Sequence, residues 1–397
     1  MSEGGPSQGR QGGQWLNDLL EQDLARRATE HQLRSRIPIT PIDATHVEID
    51  GRRYVNFASN DYLGLTHHPT VIRAAKAALE KYGAGSGASA LVSGYSEAHR
   101  SAEAAIARWK GSEAAVLLPS GYQAAHAIVQ TLSPNGVRFV LDKLCHASLI
   151  DAVRGSGAEF RIFPHNNLEK LERLLADAPA QQLQVVITES IFSMDGDVAD
   201  LDGIAALKLK HPFVLVLDEA HCSGVYGHDG AGYAAEKGFA DVVDASLVTL
   251  SKSAGVAGGA VCGSRVFCES VVNQGRAYIY STAIPPATAS AIDAAISVMK
   301  QEPRRQQRVR ELALRVRAQL KSGGHQISEG DSPIIPIVLG SEERALNAAA
   351  QLREKQFLAI AIRPPTVPRE TSRLRITLSC EHSDEEIGEL LDALRKL

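Results

Sequence analysis

One stretch of the chain, Phe213–Gly263, constrains the possible folds more than any other. It opens with an apolar run that ends at Leu217, and the acidic corner Asp218–His221 follows at once. A second apolar run, Ala245–Leu250, leads directly to Lys252. An acid and a lysine therefore each lie just past the carboxyl end of a predicted buried strand. Open α/β sheets bind ligands at that edge, so we expect these two side chains to meet in a binding site.

This pairing of functional groups is typical of pyridoxal 5′-phosphate chemistry. The cofactor needs a lysine that holds it as a Schiff base. It also needs a carboxylate at its pyridine nitrogen, because a protonated ring accepts electrons from a substrate carbanion. Lys252 and Asp218 supply those two groups. His221 follows the acid closely enough to reach the phenolate oxygen of the ring.

Other interpretations of the same residues compete with this one. A strand that ends in two acids often just meets water, and a lysine in a loop is usually solvated. An apolar strand followed by Asp218–His221 is also similar to the Walker B box of a helicase-like ATPase, which needs a G-x-x-x-x-G-K-[ST] loop. Lys252 is preceded by Ser251 instead of glycine, and no Gly-Lys-Ser or Gly-Lys-Thr occurs in the chain. A cofactor-free binding module is disfavoured by the presence of all these ionisable groups.

Composition excludes several other classes of protein. The chain has 397 residues and 44% hydrophobic residues, enough for one large α/β domain and a smaller one. A net charge of −4 gives no basic surface for nucleic acid, and no apolar run is long enough for a membrane span. The start, Met1–Pro6, lacks the pattern of a signal peptide. The five cysteines show no C-x-x-C spacing, so we expect no metal site, no disulfide framework and a cytoplasmic location.

The N-terminal part divides into a tail, a helix and a hairpin. Residues 1–13 are rich in Gly, Ser and Gln, which predicts a disordered tail. Leucines at helical spacing after Trp15 predict a helix to about Arg36, and Val47–Phe57 predicts a hairpin that turns at Asp50-Gly51. We expect residues 14–57 to pack with a small C-terminal domain.

From Ala114 onward, predicted strands alternate with stretches long enough for helices. The strand candidates are Ala114–Leu118, Val137–Leu141, Phe160–Phe163, Val185–Thr188, Phe213–Leu217, Ala245–Leu250 and Gly259–Cys262. This alternation predicts an α/β fold, with a large, mostly parallel sheet covered by helices on both faces. The strand after Lys252 follows too closely for a crossover helix, which predicts an antiparallel pairing. We expect this large domain to cover residues 58–300.

The C-terminal part has a different pattern, which predicts a small α+β domain over residues 301–397. A long helix over about Pro286–Lys321 leads into it. Strands at Ile334–Leu339 and Leu374–Leu378 alternate with helices near Glu342–Lys355 and Asp384–Leu397.

Several motifs together resemble one family, the α-oxoamine synthases, which are pyridoxal phosphate enzymes of fold type I. The resemblance runs from about Leu16 to the C-terminus. Its motifs are Ser59–Leu65 (SNDYLGL), Leu91–Tyr95 (LVSGY), His146–Ser148, Phe192–Asp197 (FSMDGD), Asp218–His221, Tyr280–Thr282 and Ala361–Pro368 (AIRPPTVP). The last is most similar to the branch that condenses L-alanine with pimeloyl-CoA or a pimeloyl carrier protein (pimeloyl-ACP) in biotin biosynthesis. The alternative is a sister enzyme such as glycine C-acetyltransferase.

The resemblance implies a role for particular residues. Lys252 is implied as the Schiff-base lysine, Asp218 as the partner of the ring nitrogen, and His221 as the partner of the phenolate oxygen. His146 is implied to stack on the ring and to assist proton transfer. Further cofactor contacts are implied at Gly121, Tyr122, Ser193 and Thr249. Backbone N–H groups of the first two, at a helix start, suit a phosphate.

The resemblance also implies the substrate contacts and an assembly. Arg375 corresponds to the arginine that binds the amino-acid carboxylate, for which a guanidinium fork is well suited. The other implied substrate contacts are Arg34, Asn60, Arg363 and Thr366. Ser281 and Thr282 are implied to reach the phosphate of a neighbouring subunit, which predicts a homodimer with shared active sites.

Overall fold

The computed structural model describes residues 8–179 and 181–397, with side chains described from Gly12 onward. The helices are α1 Gln8–Thr29, α2 Pro69–Tyr82, α3 Glu97–Lys110, α4 Gly121–Leu132, α5 Ala147–Ser156, α6 Leu168–Ala176, α7 Leu201–Lys210, α8 Tyr233–Glu236, α9 Arg265–Gln274, α10 Arg276–Ile279, α11 Pro286–Gln301, α12 Arg304–Ser322, α13 Glu342–Glu354 and α14 Asp384–Leu394. Among the described residues, none of these helices is both long and apolar enough to cross a membrane.

The strands match the predicted pattern closely. They are β1 Thr40–Pro41, β2 His46–Ile49, β3 Arg52–Asn56, β4 Ala114–Leu118, β5 Arg138–Asp142, β6 Glu159–Phe163, β7 Gln184–Glu189, β8 Val214–Asp218, β9 Ala245–Thr249, β10 Gly259–Gly263, β11 Ile334–Gly340, β12 Phe357–Leu358, β13 Ile360–Ile362 and β14 Ser372–Thr377. All seven predicted strands of the large sheet are present. The short strands β12 and β13 were not predicted, since two or three residues carry no readable period.

The large sheet positions the candidate site. Its strand order is β4-β10-β9-β8-β7-β5-β6. Strands β9, β8, β7, β5 and β6 run parallel, while β10 is antiparallel to both β9 and β4, as its short connection predicts. The carboxyl ends of β5, β7, β8 and β9 therefore meet at one edge of the sheet.

Both faces of this sheet are buried, which confirms the predicted fold class. Alternate strand residues enter two separate apolar clusters, so that Leu215 and Leu217 lie on one side while Val216 lies on the other. Helices α2, α3 and α11 pack together on the first side, and α4, α5 and α9 pack on the second. Strands buried on both faces explain the continuous apolar runs in the sequence.

The C-terminal part forms an antiparallel sheet in the order β11-β14-β13. The hairpin β2–β3 joins it through a sheet in which β12 pairs parallel to β3. The N-terminal hairpin and the C-terminal part thus share one sheet, although they are about 300 residues apart in the chain. The predicted domain boundaries at 57/58 and 300/301 stay predictions.

Three predicted elements were wrong in their extent. Residues 1–7 of the predicted tail lie outside the described residues, but Gln8–Gly13 are helical and form the start of α1. Helix α1 ends at Thr29 instead of near Arg36, because His31 adopts a left-handed conformation with φ of 53°. The long helix expected over Pro286–Lys321 is two helices, since Pro303 has no N–H to donate and disfavours a helical conformation at Glu302.

Candidate active site

A cavity of about 210 Å³ opens at the carboxyl edge of the large sheet. It brings together seven of the residues predicted from the sequence: Gly121, Tyr122, His146, Asp218, His221, Thr249 and Lys252. Asp218 is the last residue of β8, Thr249 is the last residue of β9, and Lys252 follows three positions later. The prediction that the acid and the lysine meet at one edge is therefore confirmed by the fold.

The amine of Lys252 lies in surroundings that favour its neutral form. The side chain as a whole is half-buried, but the protein around the amine lowers its pKa to about 8, because burial disfavours the charged form. The negative charge of Asp218 acts in the opposite direction. A lysine with this pKa has a substantial neutral fraction near neutral pH, which a nucleophile requires.

Asp218 is buried and accepts a hydrogen bond of 2.9 Å from the N–H of Ala220. Burial raises its pKa, while the Lys252 amine and the Ala220 N–H act against that rise. A buried carboxylate aimed at a cavity has to find a cationic or donor partner there. The protonated pyridine nitrogen of pyridoxal phosphate carries a positive charge and an N–H donor, and is therefore a suitable partner for this carboxylate.

Glu189, which the sequence reasoning missed, lies directly beside Asp218. The two residues are register partners on the adjacent strands β7 and β8, and both line the cavity. Its buried Oε1 atom has no hydrogen-bond partner in the described residues. Burial, and then the charge of Asp218, raise the pKa of the Glu189 carboxyl well above its usual range. The N–H groups of His146 and Ser193 act against this rise. Because the pKa of Glu189 is still raised further than that of Asp218, Glu189 is the member of the pair that holds the proton.

His221 is held by Tyr62, a second residue that the sequence reasoning did not single out. The Tyr62 hydroxyl lies 2.6 Å from Nδ1 of His221, and both side chains are buried. Burial, followed by the charges of Lys252 and Arg375, lowers the pKa of His221 well below its usual value. His221 is therefore neutral. Tyr62 lies within the SNDYLGL motif, and this position was the sequence signal that could have indicated its role.

The start of α4 forms a close cradle beside Thr249. Ser120 caps this helix by accepting from Gln123 N–H, which leaves the first N–H groups of the helix directed toward the cavity. A Cβ added to Gly121 would lie 2.3 Å from the Thr249 hydroxyl oxygen. Only glycine allows this approach, and the free N–H groups together with a hydroxyl fit a phosphate. The donor set thus fits pyridoxal phosphate at both its phosphate and its ring.

His146 lies at the start of α5 and caps that helix. Its Nδ1 atom accepts from the N–H of Ser148 at 3.2 Å and lies 2.8 Å from the Ser148 hydroxyl. This capping fixes the orientation of the ring at the cavity and leaves Nε2 as the protonated nitrogen. The predicted location of His146 at the cofactor cavity is confirmed, while its predicted stacking stays a prediction.

The predicted substrate residues form two groups outside the cavity lining. Arg375 is buried and donates from Nε to the carbonyl of Ser193 at 2.8 Å, and from Nη1 to Asn60 Oδ1 at 3.1 Å. Arg363 donates to the carbonyls of His31 and Leu33. These contacts bring Arg363 next to Arg34. Burial lowers the pKa of Arg363 most, and the positive charge of Arg34 lowers it further.

Three further predicted residues lie apart from the cavity lining. Thr366 is exposed, and its N–H donates to the Arg363 carbonyl at 3.1 Å. Ser281 accepts from the Gln123 side chain of its own chain at 2.9 Å, near the start of α4, while Thr282 is exposed. The predicted contact of these two residues with a neighbouring subunit stays a prediction.

Comparison with known proteins decides the family. Residues 52–394 match the family model described as aminotransferase class I and II. The chain belongs to the class I and II aminotransferase family. Among aminotransferase-family relatives, the 8-amino-7-oxononanoate synthase of Chromobacterium violaceum is 42% identical over 94% of this chain and 97% of the relative. That similarity confirms the predicted membership of the α-oxoamine synthases.

Solved structures of this aminotransferase family have the same fold. Serine palmitoyltransferase from S. paucimobilis, with PLP and myriocin bound, superposes with a TM-score of 0.90 at 28% identity, covering 96% of both chains. The 8-amino-7-oxononanoate synthase of Francisella tularensis superposes with a TM-score of 0.75 at 26% identity, covering 86% of this chain and 97% of that one. The predicted fold type I architecture is thereby confirmed.

Proposed function

We propose that this chain condenses L-alanine with a pimeloyl thioester to give 8-amino-7-oxononanoate. The reaction releases carbon dioxide and the free thiol of the carrier, which is coenzyme A or acyl-carrier protein. The observation that carries the proposal is the meeting of Lys252 and Asp218 in one cavity with a phosphate cradle. About 40% identity to 8-amino-7-oxononanoate synthases over nearly the whole chain supports the choice of reaction.

The cavity residues divide the catalytic work. Pyridoxal phosphate, when bound, supplies an electron-accepting ring that stabilises negative charge on the substrate Cα. Asp218 would hold a proton at the ring nitrogen, and the N–H groups at Gly121 together with the Thr249 hydroxyl would hold the phosphate. Glu189 stays neutral, so that Asp218 carries the negative charge of the pair.

Lys252 is suited both to attach the cofactor and to move a proton. With a pKa of about 8, about a tenth of its amines are neutral at pH 7. As a neutral amine, Lys252 would hold the cofactor covalently, and once released it would accept the proton that leaves the substrate Cα. His146 lies at the same cavity and assists proton transfer at the acyl-transfer step.

Arginines outside the cavity supply the charge that two anionic substrates need. Arg375 has N–H groups beyond those that bind Ser193 and Asn60, and these bind the carboxylate of L-alanine. Arg34 and Arg363 lie close together without a carboxylate partner among the described residues. This pair of cations fits the distal carboxylate of the pimeloyl chain, with the exposed Thr366 beside it.

A homodimer completes the proposal. The exposed side chains of Tyr280 and Thr282 lie beside Ser281 at the start of α4. Helix α1 also presents exposed apolar side chains, namely Trp15, Leu16, Leu19, Leu20 and Leu24. A second copy of the chain covers such surfaces in a symmetric dimer.

A sister reaction is the second candidate, because a serine palmitoyltransferase superposes with the higher TM-score. The test is to assay the purified protein with L-alanine, glycine and L-serine, each with pimeloyl-CoA, pimeloyl-ACP, acetyl-CoA and palmitoyl-CoA. Formation of 8-amino-7-oxononanoate with L-alanine alone supports the proposal. Higher turnover with glycine or L-serine would instead support the sister reaction.

A spectroscopic control accompanies this assay. The wild-type protein should show the visible absorbance of lysine-bound cofactor, and L-alanine should change that spectrum. Lys252→Ala should lose the band, whereas Lys237→Ala, at an exposed lysine that does not line the cavity, should keep it. ATP hydrolysis by a colourless protein would instead support the helicase-like interpretation.

A further inference from the structure

The Phe192–Asp197 loop belongs to the large-sheet part of the chain and contacts the small sheet. It follows β7, and it closes on itself through bonds from Gly196 N–H to the Phe192 carbonyl at 2.8 Å and from Phe192 N–H to the Asp197 carbonyl at 3.0 Å. Ser193, the predicted cofactor contact, is buried within it. The position of this loop therefore decides where the Ser193 hydroxyl and carbonyl point.

Two arginines of β14 bind the loop from the side of the small sheet. Residues two apart on a strand share a face, so Arg373 and Arg375 both reach it. Arg375 donates to the Ser193 carbonyl at 2.8 Å. Arg373 forms an ion pair with Asp195 and donates to the Met194 carbonyl at 3.3 Å. Both arginines are buried, at 4% and 7% exposure for Arg373 and Arg375.

The loop also touches β11 so closely that it has little room to shift. Gly196 has φ of 66°, and a Cβ added to it would lie 2.3 Å from the Ile334 carbonyl oxygen. The Ser328 hydroxyl lies 3.4 Å from the carbonyl of Asp195. The small sheet and the segment before β11 thus meet the loop at four consecutive residues, Ser193–Gly196.

We propose that Arg373 is a positioning residue for the reaction, acting through its ion pair with Asp195. It fixes Met194 and Asp195, and thereby the adjoining Ser193 carbonyl that orients Arg375. The inference rests on the proposed function, in which Arg375 binds the amino-acid carboxylate. Arg373 itself does not line the cavity.

The geometry of a guanidinium explains why this support matters. Arg375 already uses Nε for Ser193 and Nη1 for Asn60 and Thr377. Its remaining donors have a fixed direction, because the guanidinium is planar and rigid. If the loop moves, Nε loses its acceptor and the guanidinium turns. A carboxylate then loses the directed, charge-assisted hydrogen bond that Nη2 can donate.

Arg310 provides a matched control at the same junction. It is partly buried and bridges Asp331 at 2.6 Å and Glu236 at 2.9 Å. These contacts also join the C-terminal part to the large sheet, but they do not involve the Phe192–Asp197 loop. Arg310→Gln therefore removes two ion pairs at this junction without releasing Ser193.

The experiment compares wild type with Arg373→Gln, Asp195→Asn, the double variant and Arg310→Gln. For each holoenzyme, the Kd of L-alanine is measured from the change in cofactor absorbance, together with KM, kcat and the melting temperature. We expect Arg373→Gln and Asp195→Asn each to raise the Kd and KM for L-alanine about tenfold, the loss of one charged hydrogen bond. The KM for the acyl thioester should stay unchanged.

The double variant and the control separate positioning from general stability. If the ion pair is the cause, the double variant binds L-alanine no worse than either single variant. Arg310→Gln should lower the melting temperature but leave the L-alanine Kd unchanged. The proposal is overturned if Arg373→Gln and Asp195→Asn leave that Kd unchanged, or if Arg310→Gln raises it equally. Asp195→Asn alone decides the question if Arg373→Gln does not fold.

Failure of the proposed function would look different. If wild type does not turn over L-alanine, the absorbance titration is repeated with glycine and L-serine, whose carboxylates are identical. A weaker Kd in Arg373→Gln for whichever amino acid binds supports the positioning role. An equal Kd in wild type and Arg373→Gln refutes it.

Discussion

Tyr62 decides which nitrogen of His221 carries the proton. Its hydroxyl lies 2.6 Å from His221 Nδ1 but 3.3 Å from Asn60 Oδ1, so it donates mainly to the histidine. A neutral imidazole that accepts at Nδ1 carries its hydrogen at Nε2. His221 thereby becomes a hydrogen-bond donor to the cavity, which is what a contact with an anionic phenolate oxygen requires.

Tyr62→Phe should therefore change the cofactor contact without removing any residue that touches the cofactor. Without the donor, the His221 proton is no longer confined to Nε2, and one hydrogen bond to an anion weakens. We expect kcat to fall about tenfold and the pH dependence of the cofactor absorbance to shift. Tyr233→Phe, a buried tyrosine elsewhere in the same core, is the control. Identical absorbance profiles for wild type and Tyr62→Phe would contradict this role.

Asp218→Asn tests the carboxylate at the ring nitrogen. An amide is shaped like the carboxylate but carries no charge to hold a proton at that nitrogen. We expect kcat to fall by about 100-fold to 1,000-fold, or about 3–4 kcal/mol in the barrier, while the cofactor still binds to Lys252. Asp244→Asn, at the opposite end of the sheet beside Lys208, should change kcat little. A near-wild-type rate for Asp218→Asn would refute the assignment.

At the scale of elements, the Phe192–Asp197 loop is held from two sides. Arg373 and Arg375 bind it from β14, and His165 binds its end. The His165 ring lies between Asp142, at 3.1 Å from Nδ1, and Asp197, at 2.7 Å from Nε2. Since Asp142 ends β5 and the loop follows β7, this imidazole joins the two strand ends that carry His146 and Ser193.

The His165 contact predicts a specific dependence of stability on pH. Burial acts to lower the pKa of His165, but the hydrogen bonds that its ring donates to both carboxylates outweigh burial and raise that pKa to about 10. A raised pKa in the folded state stabilises the protein fully below the unfolded pKa of about 6.5. That contribution is lost as pH rises toward about 10.

His165→Asn should therefore lower the free energy of unfolding most at pH 6 and progressively less up to pH 10. Urea unfolding of wild type and variant at pH 6, 8 and 10 measures the difference. His228→Asn, at a fully solvated histidine, should give a small difference at every pH. A constant difference between wild type and His165→Asn would show that His165 is not charged in the folded protein.

At the scale of the whole molecule, the proposed homodimer shares its active sites. The predicted phosphate contact of Ser281 and Thr282 belongs to the neighbouring subunit. A mixed dimer of a Lys252→Ala chain and a Thr282→Val chain then contains one complete site. That site combines Lys252 of one chain with the partner's Thr282.

Co-expression of these two chains should therefore restore activity that neither variant has alone. Each purified mixed dimer should reach about half of the wild-type kcat, because one of its two symmetric sites is complete. Sedimentation velocity confirms the dimer, and two differently tagged chains allow its isolation. Activity equal to the mean of the two homodimers would show that each chain completes its own site. Full activity of the Thr282→Val homodimer would show that the Thr282 hydroxyl makes no contact needed for catalysis.

The sequence by itself determined the large sheet, its reversed strand and the meeting of Asp218 with Lys252. Alternating apolar runs and crossover lengths are local properties, and parallel strands necessarily bring their carboxyl ends to one edge. The same reasoning extended one helix through Pro303, although the missing N–H of that proline was a readable signal.

Only the tertiary structure decided which distant side chains touch. Glu189 lies beside Asp218 through strand register, Tyr62 reaches His221 across the fold, and Arg373 reaches Asp195. Each pair joins segments that are far apart in the chain, and nothing in the local pattern of either segment encodes its partner. Their contacts depend on how sheets and loops pack in three dimensions. That packing determines the neutral form of Glu189 and the orientation of Arg375.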